Sequence, residues 1–155
     1  MAPLVRTGGS RHTGLAALPH RNIHYYEKLQ EVRYQDVYHK ALCYCLGING
    51  DTRKNADRIY NFKTGSVKTK CLHEGWQTSG SLKVVRMAFN LYCNSTPSVW
   101  DYEDAEEQVN ECRQYTVEDI FCCAYAPYFW QAVQIRYPEY VVYNQKLHAM
   151  LGGID

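Results

Sequence analysis

The chain has 155 residues and a net charge of +1, and it is 46% apolar and 14% aromatic with 14 tyrosines. That length makes one domain with a real core, the charge excludes a strongly basic nucleic-acid binder, and no stretch is long and apolar enough to span a membrane. The near-neutral total conceals a polarity: residues 1–100 hold 14 Lys and Arg against 6 Asp and Glu, whereas residues 101–155 hold 3 against 10. Two oppositely charged halves can fold against each other, or can present a basic face and an acidic face to partners. The seven cysteines are an odd number. No apolar run near the N-terminus suits a secretory signal, so the expectation is a cytoplasmic protein with reduced thiols.

Residues 1–22 lack any acidic residue and read as a flexible basic arm. Gly8-Gly9 and Pro19 spoil the amphipathic helix of a transit peptide, and a non-native leader is the other reading of this segment. A helix is expected from Ile23 or His24. From Tyr34 the positions Tyr34, Val37, Tyr38, Ala41, Leu42, Cys45 and Leu46 mark one face at helical spacing. Gly47 and Asn49-Gly50 end that helix, and Asp51 or Thr52 caps a short one through Ala56, Ile59 and Tyr60. Thr64-Gly65-Ser66 is a turn, and residues 67–72 are extended or a loop.

The stretch from Cys71 to Cys93 is the organising element. A polar loop, residues 74–81, leads into a helix from about Ser81 to Cys93. Leu82, Val85, Phe89 and Tyr92 form its apolar face, while Lys83, Arg86 and Asn90 fall on a different one. Residues 94–98 are a break. Residues 101–111, acidic with no cation, are a solvated helix or a mobile loop; the loop is preferred, giving an acidic loop over 101–114. Thr116 opens a capping-box variant with Asp119 at the third helical position. Pro127 suits the first turn of a further helix. Residues 128–135 are apolar nearly all round, as in a buried helix, with Phe129, Trp130, Val133 and Tyr137 in the core and Tyr128, Tyr140 and Tyr143 exposed. Residues 139–151 add a last helix along Tyr140, Tyr143, Leu147 and Leu151. The expected fold is all-α: a compact single domain of about five or six helices over 23–151, with the arm before it and a tail at 152–155.

Three segments carry a resemblance: YHKALCYCLGI (38–48), HEGWQTSGSLKVVRMAFNLY (73–92) and YTVEDIFCCAYAPYFWQAVQIRYPEY (115–140). Together they resemble a family of small proteins of unknown function carried by phages and integrative elements of Gram-positive gut bacteria, over residues 24–140. The resemblance implies no activity and no catalytic residue. It implies a setting in which small accessory proteins inhibit host defence components or bind nucleic acid.

Four groups of residues are candidates for chemistry. The first is the helix start with Trp76, Thr78, Ser79, Gly80, Ser81, Lys83 and Arg86. Free backbone N–H groups, hydroxyls and two cations make a phosphate site, with Trp76 to stack on a base. The plain alternative is an ordinary N-cap, since the spacing is not that of a P-loop. The second is the basic set Arg53, Lys54, Arg58, Lys63, Lys68 and Lys70 with Tyr60 and Phe62 interleaved, a surface for nucleic acid or acidic protein, or a solvated face. The third is the acidic run with Asp101, Glu103, Asp104, Glu106 and Glu107, which mimics nucleic acid if it blocks a basic groove. The fourth is the close pairs Cys43/Cys45, Cys71/His73 and Cys122/Cys123. Neighbours on different helix faces do not share a metal, so no metal and no cofactor is expected. His73-Glu74 invites acid–base chemistry, but no nucleophile elbow, His-Glu-x-x-His or paired carboxylates accompany it.

The reading is a non-enzymatic accessory protein of a mobile element. It binds and inhibits a host defence protein or its nucleic-acid complex, in the manner of an anti-CRISPR or other anti-defence inhibitor. The alternatives are a protein that sequesters a phosphorylated small molecule or nucleotide at Thr78–Arg86, a nucleic-acid binder, and a weak phosphodiester-directed enzyme. The sequence leaves the oligomeric state open.

Overall fold

The computed structural model describes residues 23–141 and 149–150. The basic arm, Tyr143, most of the expected last helix and the tail lie outside the described residues. The architecture is all-α. Among the described residues five helices have nine residues or more: α1 (Ile23–Glu31), α2 (Val37–Ile48), α5 (Ser79–Cys93), α6 (Ala105–Arg113) and α8 (Ala126–Arg136). Shorter turns of helix fill the connections: α3 (Gly50–Lys54), α4 (Ala56–Ile59), α7 (Val117–Phe121), and 3-10 helices over Thr69–His73 and Pro97–Asp101. Two-residue strands β1 (Tyr60–Asn61) and β2 (Ser66–Val67) pair antiparallel around Gly65, whose φ of +75° suits a residue without Cβ.

α2 occupies the middle. It packs against α1, α5 and α8, and His39, Ala41, Leu42, Cys43, Tyr44, Cys45, Leu46 and Gly47 are all buried. An apolar helix with neighbours on several sides has no solvent face to keep polar. α5 and α8 both run antiparallel to α2. The His39 ring lies beside Tyr92 and the Tyr38 ring beside Arg136, while at the other end Asn49 Nδ2 donates to the Tyr125 hydroxyl at 2.7 Å. Tyr125 in turn lies over Gly80, where a Cβ would sit 2.9 Å from its ring. Val84, Val85, Ala88 and Phe89 of α5 are fully buried, and each large side chain of this kind contributes about 1.5–3 kcal/mol of burial energy.

Several expectations need correction. The helix expected from Ile23 or His24 through Leu46 is broken in two: α1 ends at Glu31 and α2 begins at Val37, because Asp36 is its N-cap and accepts from His39 N at 2.9 Å; Tyr34 lies between them, exposed. Asn49, not Asp51 or Thr52, caps the next helix, accepting from the backbone of both. Residues 105–113 form a helix instead of a loop. Asp104 accepts from Glu106 N and Glu107 N, and the two glutamates lie in the first turn, where the helix dipole favours carboxylates. α8 is not buried all round: Phe129 and Ala132 face the core, but Trp130 is 59% exposed. The all-round burial belongs to α2.

Asp36 carries a testable consequence. Burial pushes its carboxyl up, but the backbone N–H and ring of His39 outweigh this and hold it below the usual carboxylate range. A lowered carboxyl stabilises the fold above its unfolded value of about 4 and loses that contribution as pH falls through the folded value. Asp36→Ala is expected to cost about 1 kcal/mol at neutral pH. In urea titrations the gap to the native chain should close as pH drops below about 4; a gap independent of pH would remove the carboxylate from the explanation.

Candidate functional site

The start of α5 forms as the sequence suggests, but its groups are taken up internally. Thr78 and Ser81 make a reciprocal capping box: Ser81 N donates to Thr78 Oγ1 at 3.1 Å, and Thr78 N donates to Ser81 Oγ at 2.7 Å. Ser81 Oγ donates onward to Gln77 Oε1 at 2.6 Å. The two cations leave the helix start. Lys83 Nζ donates to the Asp119 carbonyl and lies 3.7 Å from its carboxylate. Arg86 is buried and donates from Nε and NH2 to the two Glu111 oxygens, each at 3.2 Å. Trp76 Nε1 donates to Glu74, which also receives Arg58 at 3.0 Å. Trp76, Thr78, Ser79, Gly80, Ser81, Lys83 and Arg86 thus do not converge on one anion. The helix start is a capping box, with Tyr125 packed over Gly80.

The basic residues divide in the same way. Arg53 donates to the Gly47 carbonyl at 2.8 Å and Lys68 to the Asp57 carbonyl at 2.7 Å. Lys54, Lys63 and Lys70 are exposed and make no ion pair among the described residues. His73 and Glu74 part company. His73 Nε2 meets the Tyr102 hydroxyl at 3.3 Å, and Glu74 turns to Arg58 and Trp76.

The acidic segment is where the structure brings chemistry together at the surface. Glu111, its last member, turns inward. Besides Arg86 it accepts from Ser98 Oγ at 2.7 Å, and Ser98 Oγ lies 2.8 Å from the Tyr115 hydroxyl. This buried network pins the 3-10 helix Pro97–Asp101 against α5 and α6. At the end of that 3-10 helix Trp100 stands 80% exposed. Asp101, Glu103, Glu106 and Glu107 follow it, all exposed and none in an ion pair among the described residues. Val109, one turn along α6, is also exposed. Trp100 and the carboxylates of residues 101–107 are thus exposed close together in sequence, on a segment whose Ser98 is held by the buried Glu111. The sequence reading found the carboxylates and missed Trp100. The available signal was a tryptophan between Pro97 and Asp101, in a segment too polar to bury it.

A second polar cluster also escaped the sequence. Asp36 Oδ1 lies 2.9 Å from His39 Nδ1, His39 Nε2 lies 3.1 Å from the Tyr60 hydroxyl, and that hydroxyl lies 2.8 Å from the Tyr92 hydroxyl. Tyr92 donates to the Gly65 carbonyl at 3.0 Å. Burial first, and the Tyr92 partner second, push the Tyr60 hydroxyl well up. The chain ties the hairpin and α5 to α2, and its groups are bonded to one another. No three His, Cys, Asp or Glu among the described residues are placed to hold a metal. Cys43, Cys45 and Cys71 are buried, and burial pushes the thiols of Cys43 and Cys71 up to about 12.

The chain is a small all-α domain that exposes Trp100 and an acidic segment. The chain belongs to the family of unknown function DUF6075, whose model matches residues 15–149. That match runs further at both ends than the resemblance over 24–140. No curated protein and no solved structure matches the chain. Among the described residues no helix is long and apolar enough to cross a membrane.

Proposed function

We propose that the protein is a non-enzymatic inhibitor that binds a host defence component through the surface formed by Trp100 and the carboxylates of residues 101–107. The single observation that carries this is Trp100, 80% exposed and held in place by the buried Arg86–Glu111–Ser98 network. An exposed tryptophan in an ordered segment is an anchor for a pocket, and the carboxylates around it select a basic rim, such as a groove that otherwise holds nucleic acid. The mobile-element setting and the cytoplasm of a bacterial host belong to the same proposal. A phosphate-holding function at Thr78–Arg86 is the weaker reading, because Lys83 and Arg86 are engaged elsewhere.

The test is capture of partners by the tagged protein from its bacterial host, with mass spectrometry of bound proteins, nucleic acid and small molecules. The native chain is expected to retain a stoichiometric cationic protein or ribonucleoprotein. Trp100→Ala should lose most of it, a change of about 2 kcal/mol or more for a central aromatic anchor. Lys83→Ala should retain it. A released nucleotide that disappears with Lys83→Ala, while Trp100→Ala behaves as wild type, would reverse the assignment.

A further inference from the structure

The buried cluster of Asp36, His39, Tyr60 and Tyr92 poses a question of proton count. Four contacts run through it: Asp36 Oδ1 to His39 Nδ1 at 2.9 Å, His39 Nε2 to the Tyr60 hydroxyl at 3.1 Å, Tyr60 to the Tyr92 hydroxyl at 2.8 Å, and Tyr92 to the Gly65 carbonyl at 3.0 Å. Each needs one hydrogen. The Gly65 carbonyl brings none. Burial pushes the Asp36 carboxyl up, but the backbone N–H and ring of His39 outweigh this, so Asp36 is an acceptor only. The two tyrosines bring one hydrogen each and a neutral imidazole brings one, which leaves one of the four contacts empty. A ring protonated on both nitrogens fills all four. The hydrogens then run one way: Nδ1 donates to Asp36, Nε2 to Tyr60, Tyr60 to Tyr92 and Tyr92 to Gly65. Tyr92 also lies 3.4 Å from Nε2, a longer contact that brings no further hydrogen.

We infer that this cluster is a proton-binding switch, in which the second ring proton of His39 decides whether the tip of the β1–β2 hairpin is tied to α5. With both protons in place the chain is complete and Tyr92 holds the Gly65 carbonyl. When Nε2 releases its proton to solvent it becomes an acceptor. Tyr60 then turns its hydroxyl hydrogen to Nε2, and Tyr92 turns to Tyr60. The bond given up is the outermost one, because the contact to Gly65 is exposed and water can take the place of Tyr92 there. His39 is 9% exposed and Tyr60 1%, so the inner contacts have no such substitute. The folded contacts favour the protonated ring, so the tie is present on the acid side and lost as pH rises through the release of that proton. The other titratable groups on the packed elements are engaged or neutral. Cys43, one turn along α2, is a thiol that burial pushes up to about 12. On α1, Lys28 pairs with Glu31 and Asp57. On α8, Arg136 lies over Tyr38 and donates to the Leu91 carbonyl and Asn94.

NMR of the ring nitrogens and backbone amides of the isotopically labelled full chain, titrated from about pH 5 to 9, tests this. At the acid end both His39 ring nitrogens should carry a proton. As pH rises Nε2 should lose its proton. The amide of Ser66, in the same peptide unit as the Gly65 carbonyl, should shift with the same midpoint. His39→Gln removes the titrating ring, and the Ser66 shift should lose its pH dependence. Tyr92→Phe keeps the ring and cuts the chain: His39 should still titrate, and Ser66 should no longer follow it. Circular dichroism of each variant establishes that it is folded, and if His39→Gln is not, the native chain and Tyr92→Phe decide between them. Three results overturn the inference: an Nε2 without a proton throughout, a Ser66 amide in the native chain that ignores the titration of His39, or a Ser66 amide that still titrates in either variant.

Discussion

Glu111→Ala is expected to destabilise the protein by about 3–5 kcal/mol, a large part of the stability of a domain this size. Glu111 and Arg86 are both buried, at 6% and 8% exposure, and meet through two N–H···O bonds of 3.2 Å. Removing the carboxylate leaves the buried Arg86 guanidinium without its partner, and leaves Ser98 Oγ, which donates to the same carboxylate at 2.7 Å, with only the Tyr115 hydroxyl. The cost is that of an uncompensated buried charge more than of the lost attraction. The double change Arg86→Met with Glu111→Leu, which removes both charges and keeps volume, should recover most of the loss. Urea unfolding of the three variants against the native chain measures this, and a Glu111→Ala loss under 1 kcal/mol would show that Arg86 finds water or another acceptor. Because the network also seats the 3-10 helix before α6, the single variant should quench or shift the fluorescence of Trp100 at urea concentrations where the helices persist.

Phe129→Ala is expected to cost about 3–5 kcal/mol. Phe129 is fully buried, with the rings of Phe121 and Tyr125 at 5.7 and 6.4 Å. α8 reaches the core mainly through Phe129, Ala132 and Arg136, so one deleted ring loosens much of its hold on α2. Tyr125, which covers Gly80, loses a neighbour at the same time. Trp130→Ala is the control. Its ring rests on Phe121 at 4.9 Å but is 59% exposed, so its removal should cost about 1 kcal/mol. Equal losses for the two variants would mean that α8 is rotated about its axis from the orientation described.

That pair of residues shows where sequence reading stops. Residues 128–135 are apolar nearly all round, and periodicity alone cannot say which side meets the core. α8 has one principal neighbour, so part of an apolar helix remains in water; α2 has three. The acidic segment is a different case. Asp104 followed by Glu106-Glu107 is a local helix start, legible in the sequence, and the lack of cations led instead to a loop.

Signals that act within about a turn of chain are legible in the residues alone: the all-α class, the cap at Thr116, the stop around Gly47 to Gly50, the turn at Gly65 and the burial of Val85 and Phe89 on α5, though not that of Val84, Met87 and Leu91. Those signals are short-range hydrogen bonds and side-chain spacing, and they need no partner from elsewhere. The tertiary structure decided which charged groups remain available. Arg86 and Lys83 share a helix start with hydroxyls, but their partners lie 25 and 36 residues away in sequence. Glu111, inside the same acidic run, turns to the core and holds Ser98, two residues before the exposed Trp100. A charge too costly to bury alone is drawn to whichever opposite charge folding brings near, and that choice depends on helix packing rather than on neighbours along the chain.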